Sequence, residues 1–137
     1  MSVINELIRK EENGTLSFGN FELPAKAKLD GFEHNGDLYK IKTFNEITKL
    51  EKNGTMVYES VPGTVVHELQ ISDKKVKFGV EGAKDAQITL ELEAGKEYKI
   101  YVDDTNLGKM KTNLGGKLSF SVELTPDEIA KVKIEKL

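Results

Sequence analysis

The chain has 137 residues, a formal net charge of −3 and a sequence pI of about 5.5, with 31% charged residues. The absence of cysteine excludes a disulfide framework, a thiolate zinc site and a cysteine nucleophile. Lysine and glutamate interleave without forming blocks, which reads as a solvated face of mixed sign and points away from nucleic acid as a partner.

The length suits one domain or two small ones that lean on each other. No stretch reaches the roughly 18 apolar residues of a membrane helix. The N-terminus has no basic region ahead of a long apolar run, so no secretory signal is read, and no membrane partner. The expected location is the cytoplasm, or release as part of a phage-like assembly.

Along the N-terminal half, Val3, Ile4, Leu7 and Ile8 stand at helical spacing behind Ser2, so Val3–Ile8 is open between a short helix and a strand. Three Asn-Gly pairs follow, at Asn13-Gly14, Asn35-Gly36 and Asn53-Gly54. Asn-Gly accepts positive φ at both central positions of a tight turn, so the three read as successive hairpins of a meander. The Asn-Gly-Thr runs at Asn13 and Asn53 also match glycosylation acceptors, although their hairpin role explains them. His34, beside the second turn, is expected at the surface. Thr43-Phe44-Asn45-Glu46 is a capping box, which leaves Phe44–Leu50 open between helix and strand. Val61-Pro62-Gly63 reads as a turn with preset φ at Pro62 and positive φ at Gly63. His67 alternates with Val65, Leu69 and Ile71, so it is expected to point inward as a hydrogen-bonded core histidine.

The polar Ser72-Asp73-Lys74 is read as a domain seam. Beyond it the period of two is unbroken: Val76, Phe78 and Val80; Ile88, Leu90 and Leu92; Tyr98, Ile100 and Val102; Leu118, Phe120, Val122 and Leu124. Successive strand side chains face opposite ways, so each run has one buried and one wet face. Thr125-Pro126-Asp127-Glu128 matches a capping box, predicting one helical turn before a closing edge strand over Lys131–Leu137. The fold class expected is mostly β. An antiparallel hairpin meander over 1–72 is followed by a small β-sandwich over 73–137, with one or two short helical segments.

No chemistry-bearing motif emerges. There is no G-x-S-x-G nucleophile turn and no phosphate-cradling glycine loop at a helix start. Asp103-Asp104-Thr105-Asn106 offers oxygens for calcium, but lacks the spacing of an EF-hand loop and reads as a hairpin turn. The expectation is therefore no catalytic residue, no cofactor, no metal ligand set and no enzyme. Exposed aromatics can serve as flat platforms for sugars. Tyr101 alternates out of phase with Ile100 and Val102 and is the first candidate for such a role, with Tyr39 and Tyr58 behind it.

Three segments carry a resemblance: Glu97–Asp103, Leu107–Asn113 and Gly116–Leu124. They look like the small β-sandwich appended to many bacterial polysaccharide-active proteins. The whole chain, with Asn13–Gly19 and Ser60–Thr64, resembles short bacterial proteins carrying an endosialidase-type label. It is far too short for the propeller of a true endosialidase, and Arg9 is its one arginine, whereas carboxylate recognition favours an arginine fork. No catalytic residue carries over. The expected function is a non-enzymatic β module acting by association, with itself or with a larger assembly, through edge strands and the final Lys131–Leu137 strand. The alternative is an accessory carbohydrate-binding module with a glycan as partner.

Overall fold

A computed structural model describes residues 3–137, and all of its regular structure is β. Thirteen strands form two antiparallel sheets. In chain order they are β1 (Ile8–Lys10), β2 (Leu16–Phe18), β3 (Ala27–His34), β4 (Asp37–Thr43), β5 (Thr48–Lys52), β6 (Thr55–Val61), β7 (Val65–Ile71), β8 (Lys75–Glu81), β9 (Ala86–Glu91), β10 (Glu97–Val102), β11 (Thr105–Lys111), β12 (Lys117–Val122) and β13 (Ala130–Lys136). The seven-stranded sheet runs β1-β2-β7-β8-β13-β10-β11, and the six-stranded sheet β12-β9-β6-β5-β4-β3.

Alternating apolar residues from both sheets meet in one core. Tyr58 of β6 inserts between Phe18 of β2 and Phe78 of β8, edge to face, at centroid distances of 5.4 and 5.7 Å. Ile41, Leu50, Ile88, Leu118 and Ile134 surround them, all buried. A smaller cluster of Ile4, Phe21 and Val65 anchors the N-terminal segment.

The mostly β, sandwich-like reading holds, and several finer expectations are corrected. Neither segment left open between helix and strand is helical. Residues 5 and 6 turn and lead into β1, and Phe44–Glu46 is a bend entering β5. The expected Ser2 cap lies outside the described residues. Isolated turns of helix are marginal without packing, and here the apolar side chains are needed on pleated faces. Thr125–Glu128 is a tight turn, not helix. Pro126 presets φ, Asp127 has φ of 67°, and Glu128 N–H donates to Thr125 O at 3.1 Å. The peptide Val61-Pro62 is cis, and Gly63 does not take the positive φ expected of it.

The seam expected at 72/73 lies in the β7–β8 hairpin, where Ser72 N–H donates to Lys75 O at 2.8 Å. Strands from 1–72 pair with strands from 73–137 in both sheets, β7 with β8 and β6 with β9. The main core draws residues from both sides of that point, so it does not separate two hydrophobic cores. The final strand is likewise not an edge. β13 lies between β8 and β10, paired on both sides.

Two of the three Asn-Gly turns behave as expected. Asn35-Gly36 (φ 52° and 82°) closes β3–β4, and Asn53-Gly54 (φ 51° and 82°) closes β5–β6. The Asn13-Gly14 turn is a longer loop in the other sheet. Glu11 N–H donates to Thr15 O there, and the Asn13 side chain accepts from Thr15. The meander is therefore β3–β6 alone.

Candidate functional site

The outer face of the seven-stranded sheet holds a groove of about 570 Å³, bordered by His67, Glu68, Lys77, Tyr101, Ile129 and Lys131. A bulge in β7 shapes it. Across β8, His67 pairs with Gly79 and Gln70 with Lys77, so β7 carries one residue more than its partner. Glu68 takes positive φ (55°) at that point. A bulge shifts the side-chain alternation by one residue. His67 thus leaves the core face expected for it, and its ring lies on the outer face.

There His67 Nε2 lies 2.9 Å from Glu81 Oε1, and Glu81 is only 3% exposed. The expected hydrogen-bonded histidine is therefore present, with an acid two strand positions away across the sheet as its partner. Gly79, opposite His67, leaves room for Ile129, which the Thr125–Glu128 turn delivers. A Cβ at Gly79 would approach Ile129 Cγ2 to 2.8 Å. Beside His67, on β2, the buried Ser17 hydroxyl donates to Glu11 at 2.6 Å and accepts from Glu68 N–H at 3.0 Å. Arg9 and that Ser17 bond hold the Glu11 carboxyl below its usual range, the serine first. The hydroxyl is thus committed to structural bonds that close the bulge.

The candidate aromatics fare differently. Tyr101 is partly exposed in the groove, but the Lys133 ammonium sits over its ring at 4.5 Å from the centroid. A cation in that position occupies the π face that a sugar would use. Tyr39 is partly buried beside His34, with ring centroids 6.3 Å apart. Tyr58 is a correction: it is fully buried, and its hydroxyl bonds Thr64 Oγ1 at 2.8 Å. The period of two places it inward, between two phenylalanines. The three tyrosines do not form one surface. His34 is also corrected. It is buried, and its Nε2 lies 3.1 Å from the Gly14 carbonyl, which ties the β3–β4 turn to the β1–β2 loop.

The Asp103-Asp104 turn is a two-residue hairpin with both residues at positive φ (50° and 67°). Two of its side chains serve the backbone: Asp103 accepts from Lys131 N–H at 2.9 Å, and Asn106 from Gly108 N–H at 2.8 Å. Among the described residues no three His, Asp or Glu side chains stand close enough to hold a metal ion. No helix among them is long and apolar enough to cross a membrane.

The sequence reading missed a basic patch on the outer face of the six-stranded sheet. Lys28 pairs with Lys42, and Lys42 with Lys49, so three lysines stand abreast on β3, β4 and β5. The alternation that made the charge pattern look mixed is what aligns them, since only every second residue shares a face. Lys26-x-Lys28 and Lys40-x-Lys42 were the available signal. Like charges directly opposite destabilise a strand pair by about 0.2–1 kcal/mol. Lys42→Glu turns two such pairs into attractive ones and is expected to stabilise the fold by about 0.5–1 kcal/mol at low salt, less at high salt. A rise in the urea midpoint at constant m-value checks this.

No protein-family model, curated protein or solved structure matches the chain.

Proposed function

We propose that the chain is a non-enzymatic β module that works by association with protein, its first partner being a second copy of itself paired through β11. The observation that carries this reading is the free edge. β11 pairs only with β10, and six of its seven residues are exposed, Leu107 (52%) and Met110 among them. Leu114, in the turn that follows, is 98% exposed. Unpaired edges with apolar side chains invite another strand.

The other edges are blunted. β1 has three residues, β3 lines its edge with Lys28, Asp30 and Glu33, and β12 buries its large apolar side chains inward. β11, like β3, carries a bulge, at Leu107 opposite Ile100 and Tyr101. Charge permits self-pairing along β11. An antiparallel pair centred on Gly108 sets Lys109 opposite Leu107 and Lys111 opposite Thr105, so no lysine faces a lysine. A closed two-fold pair of this kind also covers both free edges at once.

Light scattering over a concentration series is the test. The expected mass is about twice the 15.3 kDa of the chain. Leu107→Asp is expected to return it to a monomer that still folds cooperatively, because Leu107 is half exposed on an edge strand. Its melting temperature should fall only by the share that dimerisation contributed. A chain that stays monomeric at millimolar concentration, or a dimer indifferent to Leu107→Asp, refutes pairing through β11.

A further inference from the structure

The lysines of β3–β5 are grouped beyond what the sheet needs. In the rung Lys28–Lys42–Lys49, neighbouring strands lie about 4.8 Å apart, and the first acid in that row is Glu59 on β6. One step along the strands, Lys40 pairs with Glu51. These side chains wall a concavity of about 190 Å³ lined by Lys28, Lys40, Lys42, Lys49 and Glu51. Glu51 is held by Lys49 at 3.7 Å, and Glu59 stands opposite Lys49 on β6, so two carboxylates border four ammonium groups. Burial first, and then Lys26, Lys49 and Lys28, hold the Lys42 ammonium below its usual pKa, against a smaller opposing pull from Glu59.

We infer that this concavity binds a compact, multiply charged oxyanion of the phosphate class, with Lys28, Lys40, Lys42 and Lys49 as its donors. Lysine presents a point charge with three donors, which suits a tetrahedral oxyanion approached from several sides, whereas a planar carboxylate is better served by an arginine fork. The lining contains no aromatic ring on which a nucleic-acid base would stack. It contains no apolar anchor of the kind that centres a protein interface. Its volume matches a few phosphoryl groups and not a polymer. This inference is independent of the pairing proposed for β11, which lies at the far edge of the other sheet.

The test uses the full chain and sodium tripolyphosphate, with sodium chloride at matched ionic strength as the reference. Saturable amide shifts are expected on β3, β4 and β5, together with a rise in melting temperature beyond that given by chloride. Lys42→Glu, which is expected to fold at least as well as the parent, should weaken binding at least tenfold, and so should Lys28→Ala combined with Lys49→Ala. Lys77→Ala with Lys133→Ala, on the opposite sheet, should leave it unchanged. Raising the salt from 50 to 200 mM should weaken binding about tenfold, as release of counterions from a few charge contacts requires.

A response no greater than that of chloride overturns the inference, as does binding that survives Lys42→Glu. Tighter retention by vesicles containing phosphatidylglycerol, or by duplex DNA, than by tripolyphosphate also overturns it, because the lysines would then serve an extended surface or polymer.

Discussion

Tyr58→Ala is expected to destabilise the protein by about 3–5 kcal/mol, the range for truncating a buried aromatic. That is a large share of the roughly 5–15 kcal/mol that holds a typical domain folded. The ring is fully buried and packs edge to face on Phe18 and Phe78, so its loss opens a void between the two sheets. Tyr58→Phe keeps both ring contacts and removes only the bond to Thr64, which retains Ser60 Oγ at 2.7 Å. Its cost is expected near 1 kcal/mol, that of one hydrogen bond. Burial also pushes the Tyr58 phenol up to about 12 from 10.0. The neutral form therefore favours the folded state, and this contribution is full below pH 10 and lost as pH rises from about 10 to about 12. Urea unfolding at pH 7 and pH 11 reads both effects, and Tyr58→Phe should lose less stability on the alkaline side than the parent. A Tyr58→Ala variant within 1 kcal/mol of the parent would show that the ring is not a centre of the core.

What could be read from residues alone was local. The strands of 75–122 follow from Val76, Phe78 and Val80, or Leu118, Phe120 and Val122, because a pleated backbone with one wet face requires that alternation. Asn35-Gly36 and Asn53-Gly54 identified their turns because few residues accept two positive φ values in a row. Pairing between distant segments left no such trace. Nothing in Lys131–Leu137 reveals that β13 enters between β8 and β10, or that β6 meets β9. Each sheet is assembled from non-local contacts whose partners are set by the packed whole. The bulge was hidden for a different reason. Glu68 is an ordinary residue at positive φ, and the glycine that usually announces such a site is absent. One inserted residue then moved His67 from the expected core face to the groove. The candidate sites suffered most, since sites join residues from several strands. Tyr58 went inward with its alternation, Tyr101 met Lys133 from the neighbouring strand, and the lysine rung exists only once β3, β4 and β5 are in register.

The two sheets are joined through a buried polar network as well as through apolar packing, and Gly19 is the position where that join is most sensitive. Thr48 Oγ1 donates to Thr64 O at 2.7 Å and accepts from Thr64 N–H at 3.0 Å, while Thr43 bonds both Thr48 Oγ1 (2.8 Å) and Asn20 N–H (2.9 Å). Gly19 sits against this network with φ of 103°, a conformation costly for any residue with a Cβ. A Cβ there would overlap the Thr64 carbonyl and press on Val65 Cα (3.2 Å) and Thr48 Cγ2 (3.3 Å). Gly19 also receives the N-terminal segment, since Ile4 N–H donates to its carbonyl and its own N–H donates to Leu7 O. Gly19→Ala therefore combines backbone strain of about 1–3 kcal/mol with displacement of a carbonyl that has no second place to bond. A total loss of about 3 kcal/mol or more is expected. Gly14→Ala separates the two causes: Gly14 also has positive φ (85°), but a Cβ there meets nothing within 4 Å. It should cost about 1 kcal/mol, the conformational part alone. Equal losses for the two variants in urea unfolding would mean that the network around Thr64 yields freely, and that the join between the sheets is softer than its hydrogen bonds imply.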